Sequence, residues 1–115
     1  MFNYRNQSTS ATYDDVRNAI NGKQQVIASF KGYYRELCPH VIGWSKTGVE
    51  QCLFYQFGGE SSSGRIIPRS PKNWRCIPLS RLEIIEVKDG DWHTASNHSR
   101  RQSCVNQIDV EVDFH

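Results

Sequence analysis

Val26-Ile-Ala-Ser-Phe30, Lys31-Gly32, Tyr33-Tyr-Arg-Glu-Leu-Cys-Pro-His-Val-Ile-Gly-Trp44 opens the stretch that decides the fold, which continues to Val87. Runs rich in β-branched and aromatic residues follow at Glu50–Phe57, Trp74–Leu79 and Glu83–Val87. Lys31-Gly32, Thr47-Gly48 and a Gly/Ser/Pro-rich loop at Gly58–Asn73 punctuate them as turns punctuate hairpins. Five short strands with a tight Ser80-Arg81-Leu82 step before the last predict an all-β fold. The expected form is a small SH3-like barrel that closes its own edge.

Working outward, Thr12 is positioned to cap a short helix carrying Asp14 and Asp15 in its first turn, with Gly22 to end it. Tyr13, Val16, Ala19 and Ile20 share one face of that helix, which would plug a barrel end. At the other terminus Ile108-Asp-Val-Glu-Val-Asp-Phe114 alternates strictly. This predicts an added strand with Ile108, Val110, Val112 and Phe114 inward. Residues 1–11 are polar and read as a loose segment, leaving one domain over residues 12–115.

Composition excludes more than it selects. Charged residues at 23% and apolar ones at 37% fit a soluble globular chain, with no apolar run of membrane-helix length and no secretory signal in the first ten residues. A cytoplasmic location follows by elimination. A net charge of +2 is too small for a dedicated duplex-binding domain. The distribution is uneven, however: Arg65, Arg69, Lys72, Arg75 and Arg81 crowd one segment, and Asp109, Glu111 and Asp113 another.

Four cysteines lie far apart with no Cys-x-x-Cys pair, and in a chain without a signal they read as reduced, mostly buried small hydrophobes. Cys38, His40, His93, His98 and Cys104 together offer zinc-type ligands. None has the knuckle spacing of a structural site, so no metal and no cofactor is expected. Gly59-Glu-Ser-Ser-Ser-Gly64-Arg65 has P-loop glycine spacing. It lacks the lysine and the hydroxyl that follows it, and Pro68 and Pro71 deny the helix, so it reads as a mobile surface loop. No catalytic constellation emerges, and the chain is not expected to be an enzyme.

The arginines are more informative. Arg35, Arg75 and Arg81 fall in or beside predicted strands. Each would either pair with an acid such as Glu36, Glu83 or Glu86, or converge with the others on an anion. Tyr33, Tyr34, Tyr55 and Trp74 nearby are residue types that stack bases.

On these residues the chain resembles the WYL domain, an SH3-like sensor module of many bacterial transcriptional regulators. The match rests on Ile27–Phe30, on Arg35 and Pro39 in an R-x-x-x-P second strand, and on Leu53-Phe54-Tyr55 in the place of the Trp-Tyr-Leu triplet. It continues with Arg75, Ile77, Leu79, Arg81 and Leu82 in an R-x-F-x-L-x-R-I strand and turn. The resemblance implies a ligand-responsive regulatory module with nucleotides or single-stranded nucleic acid as ligands. Arg35, Tyr55, Arg75 and Arg81 would then form the pocket, with Arg65 as a further ligand-binding candidate. The short helix after Thr12 supplies no winged helix-turn-helix. The rival expectation is a protein-interaction adaptor, in which an open edge or the groove beside Trp44 and Tyr55 takes a partner peptide, a subunit or a second copy.

Overall fold

The computed structural model describes residues 9–95 and 102–112. Helix α1 spans Ala11–Asn21, and strands β1 to β7 span Gln25–Phe30, Tyr33–Trp44, Glu50–Ser61, Gly64–Arg65, Trp74–Pro78, Glu83–Lys88 and Gln107–Glu111. A 3-10 turn, Leu79–Arg81, joins β5 to β6. The fold is mainly β, as the alternation of the runs predicts.

The helix cap is Ser10, not Thr12. Ser10 Oγ accepts the Tyr13 amide at 3.1 Å, while Ser10 Oγ and its amide both donate to the Glu50 carboxylate. Thr12 already lies inside the first turn. The predicted face is the buried one: Tyr13, Val16, Ala19 and Ile20 are at most 2% exposed. Gly22 follows the last helical residue, but its φ is −94°, and Lys23 takes the left-handed conformation at +48°.

All seven strands form one antiparallel sheet in the order β4-β3-β2-β1-β6, with β5 on β3 and β7 on β2. The long second strand serves two neighbours on one edge. Residues 33–37 pair with β1 and residues 41–44 with β7, while β3 runs along the other edge. Bulges at Glu36/Leu37 and Pro39/Val41 supply the bend that Pro39 foreshadows.

The expected closure does not occur: the sheet is open. Among the described residues β5 pairs with β3 and β6 with β1, with no ladder between β5 and β6. The linking turn instead buries Leu79 and Leu82, at 1% and 6% exposure. With Val26, Ala28, Leu37, Ile42, Cys52, Phe54 and Ile77 they form the core beneath α1.

Two segments differ from their sequence reading. The expected loop Gly58–Asn73 begins as strand, because β3 extends to Ser61 and turns through Ser62-Ser63 into β4. Gly59 permits this with φ +83°, since a Cβ there would strike the Tyr34 carbonyl of the adjacent strand. In β7, Val110 is half-buried but Ile108 is 51% exposed, and Val112, just beyond the strand, is buried. A register shift at Asp109 turns that residue toward α1, where it accepts from Tyr13 Oη at 2.7 Å and Arg17 Nε at 3.0 Å. Phe114 lies outside the described residues.

Candidate functional site

Strand alternation sorts the chemistry-bearing residues onto two faces of the β2–β3–β5 ladder. Arg75 is the cross-strand partner of Phe54, and Trp74 that of Tyr55. Arg75 therefore shares the core face with Phe54 and Gln56, while Tyr55 and Trp74 point the other way. Arg35, two residues before buried Leu37, is also on the core face, at the end of the sheet where β1 turns into β2.

Arg35 is only 3% exposed. Its Nε donates to the Phe30 carbonyl at 3.2 Å and its Nη1 to Gln56 Oε1 at 3.1 Å. The guanidinium carbon lies 5.0 Å from the Phe30 ring centre and 5.6 Å from that of Tyr33. Gln56, fully buried, is held in turn by donating to the Gly58 and Glu60 carbonyls at 2.9 and 3.0 Å. Arg75, half-buried, donates from Nη1 to the carbonyls of Lys72 and Trp74 at 2.8 and 3.1 Å.

None of these acceptors carries a formal charge. Among the described residues the one side-chain ion pair joins Arg17 to Asp109, and no carboxylate lies within salt-bridge distance of Arg35 or Arg75. Glu36, a candidate partner by sequence, instead accepts from Tyr34 Oη. Burial, and after it the positive charge of Arg75, lowers the Arg35 pKa, while burial alone lowers that of Arg75. The two guanidinium groups lie on the same face of the sheet, and the acceptors they meet among the described residues are carbonyl and amide oxygens, with the Phe30 and Tyr33 rings beside Arg35.

The other predicted site residues lie elsewhere. Tyr55 is buried on the opposite face and donates its hydroxyl to the Ser70 carbonyl at 2.8 Å. Arg81 is exposed on the 3-10 turn, and Arg65 is exposed on the short outer strand β4. Sequence reading missed Gln56 and Asn73, both buried; the Asn73 carbonyl accepts the Gln56 amide at 2.9 Å, and its side chain donates to the Ile67 carbonyl. Gln56 did leave a trace: it is in phase with Cys52 and Phe54, an amide at a core position.

The opposite face carries an aromatic and imidazole layer covered by residues 91–95. Buried His40 packs edge-on to Trp74 and tilted against Trp92, at ring separations of 4.7 and 5.0 Å. His40 Nδ1 donates to the Cys38 carbonyl and its Nε2 meets the Thr94 hydroxyl, while the His93 ring stacks on Phe57. Among the described residues no acceptor meets the buried Trp92 Nε1. Among the described residues no group of His, Cys, Asp and Glu is arranged to hold a metal, and His98 lies outside them.

The expectation of four reduced cysteines is overturned. Cys76 of β5 and Cys104 are joined in a disulfide, leaving Cys38 and Cys52 as buried thiols. Spacing could not reveal this, because the partners are 28 residues apart and meet only when residues 102–106 fold back over β5.

Fold and site define an open antiparallel sheet with one packed helix and two arginines on one face that meet no carboxylate among the described residues. Comparisons with protein-family models, curated proteins and solved structures find no match. No described helix is long and apolar enough to cross a membrane.

Proposed function

We propose that this protein is a non-enzymatic ligand-sensing module of WYL-like type that binds a phosphate-bearing ligand, a nucleotide or single-stranded nucleic acid, through Arg35 and Arg75. The observation that carries the reading is the burial of Arg35 beside a second guanidinium with no carboxylate near either among the described residues. Burying a charge is costly, and such charges are ordinarily paired. An unpaired set on one face fits an anion supplied from outside, because guanidinium forks match phosphate oxygens two at a time. Tyr33, half-buried beside Arg35, is placed to border such a ligand. Tyr55 and Arg81, implied as pocket residues by the resemblance, are not part of this proposal, since one faces away and the other is exposed on the turn. Arg65 is left out for the same reason as Arg81.

The adaptor reading draws on the open edges of β5, β6 and β7. Glu83, Glu86 and Lys88 along β6 disfavour strand addition there, as charges on an edge commonly do.

Calorimetric titration with ATP and with a short oligothymidylate tests the proposal. Binding should weaken as salt rises. Arg75→Ala should lower affinity by about 1.5–3 kcal/mol, the worth of a charge-assisted hydrogen bond. Arg81→Ala should leave it nearly unchanged. Absence of binding at low salt, or equal losses from both variants, would refute the assignment.

A further inference from the structure

The two pairs of cysteines occupy contrasting settings. Cys38 and Cys52 are fully buried. Burial pushes the Cys38 thiol up to about 12 and that of Cys52 well above its usual value, so neither ionises readily. Cys76 is exposed on the outward side of β5 and Cys104 is half-buried against it. The Gln51 side-chain amide, anchored by donating to the Cys104 carbonyl at 2.7 Å, also lies 3.5 Å from Cys76 Sγ and 4.0 Å from Cys104 Sγ. An amide N–H directed at both sulfurs is suited to a thiolate leaving from the bond.

Opening the bond would not release the segment that carries Cys104. Gln102 and Val105 bond each other twice at 2.8 Å, Val105 is 3% exposed, and the Asn106 amide donates to the Trp44 carbonyl. Asn106 Oδ1 also accepts the Lys46 amide. Gly43 lets this segment close on the sheet, since a Cβ there would overlap the Gln107 carbonyl. Strand β5 is held differently. Among the described residues it pairs with β3 alone, over residues 74–78, and the disulfide is its covalent brace on the outer face.

We propose that Cys76–Cys104 is a reversible thiol–disulfide exchange site whose opening loosens β5. An incoming thiolate from a small thiol or dithiol attacks the exposed Cys76 Sγ. The Cys76–Cys104 bond breaks, and Cys104 leaves as a thiolate that accepts from Gln51 Nε2. A second thiolate then attacks the sulfur of the bound thiol, and Cys76 leaves. Two external thiols are oxidised to a disulfide while the protein disulfide is reduced to two thiols. The bond persists where conditions are oxidising and opens where thiols are plentiful.

The whole chain is titrated with reduced and oxidised glutathione, alkylated and mapped by mass spectrometry, alongside amide hydrogen exchange. Two alkylated thiols should appear reversibly at Cys76 and Cys104, with Cys38 and Cys52 protected throughout. In Cys104→Ser the glutathione adduct should accumulate on Cys76. Amides of residues 74–77 should exchange at least ten-fold faster in the reduced protein, with those of Leu37, Cys38 and residues 40–42 unchanged. The proposal fails if all four thiols appear together, which would mean the bond opens only on global unfolding. It also fails if β5 exchange is indifferent to reduction.

Where the phosphate-binding reading holds, Arg75, next to Cys76, carries the consequence to the site, and reduction should weaken pyrophosphate binding several-fold. Pyrophosphate binding absent from the oxidised protein would refute that reading alone, since alkylation and exchange decide this one.

Discussion

Arg17 and Arg35 meet the same sheet in opposite company. Arg17 lies on the exposed side of α1 and reaches Asp109, a carboxylate that Tyr13 also holds. Arg35 is buried against Phe30, Tyr33 and Gln56, with a like charge as its neighbour and no acid near it among the described residues. A solvated ion pair contributes little to stability, and its loss is cheap. A buried cation held by neutral acceptors depends on every one of them, because water cannot replace what is removed. The first arrangement fixes a helix against a strand end. The second leaves a buried charge with no acid near it among the described residues, and the proposed anion site rests on that feature.

Gln56→Leu should show the largest effect. It removes the acceptor of Arg35 Nη1 and two bonds to the Gly58 and Glu60 carbonyls at once. A loss of about 3 kcal/mol in denaturant unfolding is expected, within the range for a charge-assisted bond together with groups left unsatisfied. A loss under 1 kcal/mol would mean that Arg35 finds another acceptor without rearranging the sheet.

Asp109→Ala should cost less, about 2 kcal/mol, and the cost should come from Tyr13 and not from Arg17. Tyr13 is 1% exposed, so its hydroxyl loses a charged acceptor that solvent does not readily replace. Tyr13→Phe made in the Asp109→Ala background should then cost little more, and a full additive loss would place the effect elsewhere.

The smallest effects should come from the arginines themselves. Arg17→Ala is expected to cost about 0.2–1 kcal/mol, given a side chain 43% exposed. Arg35→Met should cost no more than about 1 kcal/mol, since relief of a buried charge offsets the donor lost by the Phe30 carbonyl and Gln56 Oε1. The same variant should lose anion binding. A stability loss well beyond that, with no binding to lose, would make Arg35 a structural residue and dissolve the contrast with Arg17.

Much of the fold was legible because it depends on local period. Alternation and turn residues located the strand runs, and the 3.6-residue period of Tyr13, Val16, Ala19 and Ile20 gave the buried helix face correctly. The candidate site was legible only in part. Arg35 and Arg75 could be named as candidates, but bulges at Glu36/Leu37 and Pro39/Val41 decide which face each residue of β2 presents, and nothing near them in the sequence announces those irregularities. Tyr55 lies on the other face from Arg75 for a simpler reason: it neighbours Phe54 in the chain, and adjacent residues on a strand face opposite sides.

By itself, then, the sequence determined what period and local sterics determine: strands, turns, the apolar helix face and the surplus of arginine in the middle of the chain. Tertiary structure alone decided that β5 pairs with β3 and β6 with β1, leaving the sheet open, because strand partners are chosen by contacts distant in sequence. It alone joined Cys76 to Cys104, which the chain brings together only by folding residues 102–106 across β5. It alone left Arg35 and Arg75 on one face with no acid near them among the described residues. Which charges neutralise one another depends on distance in space, and spacing along the chain does not encode that distance.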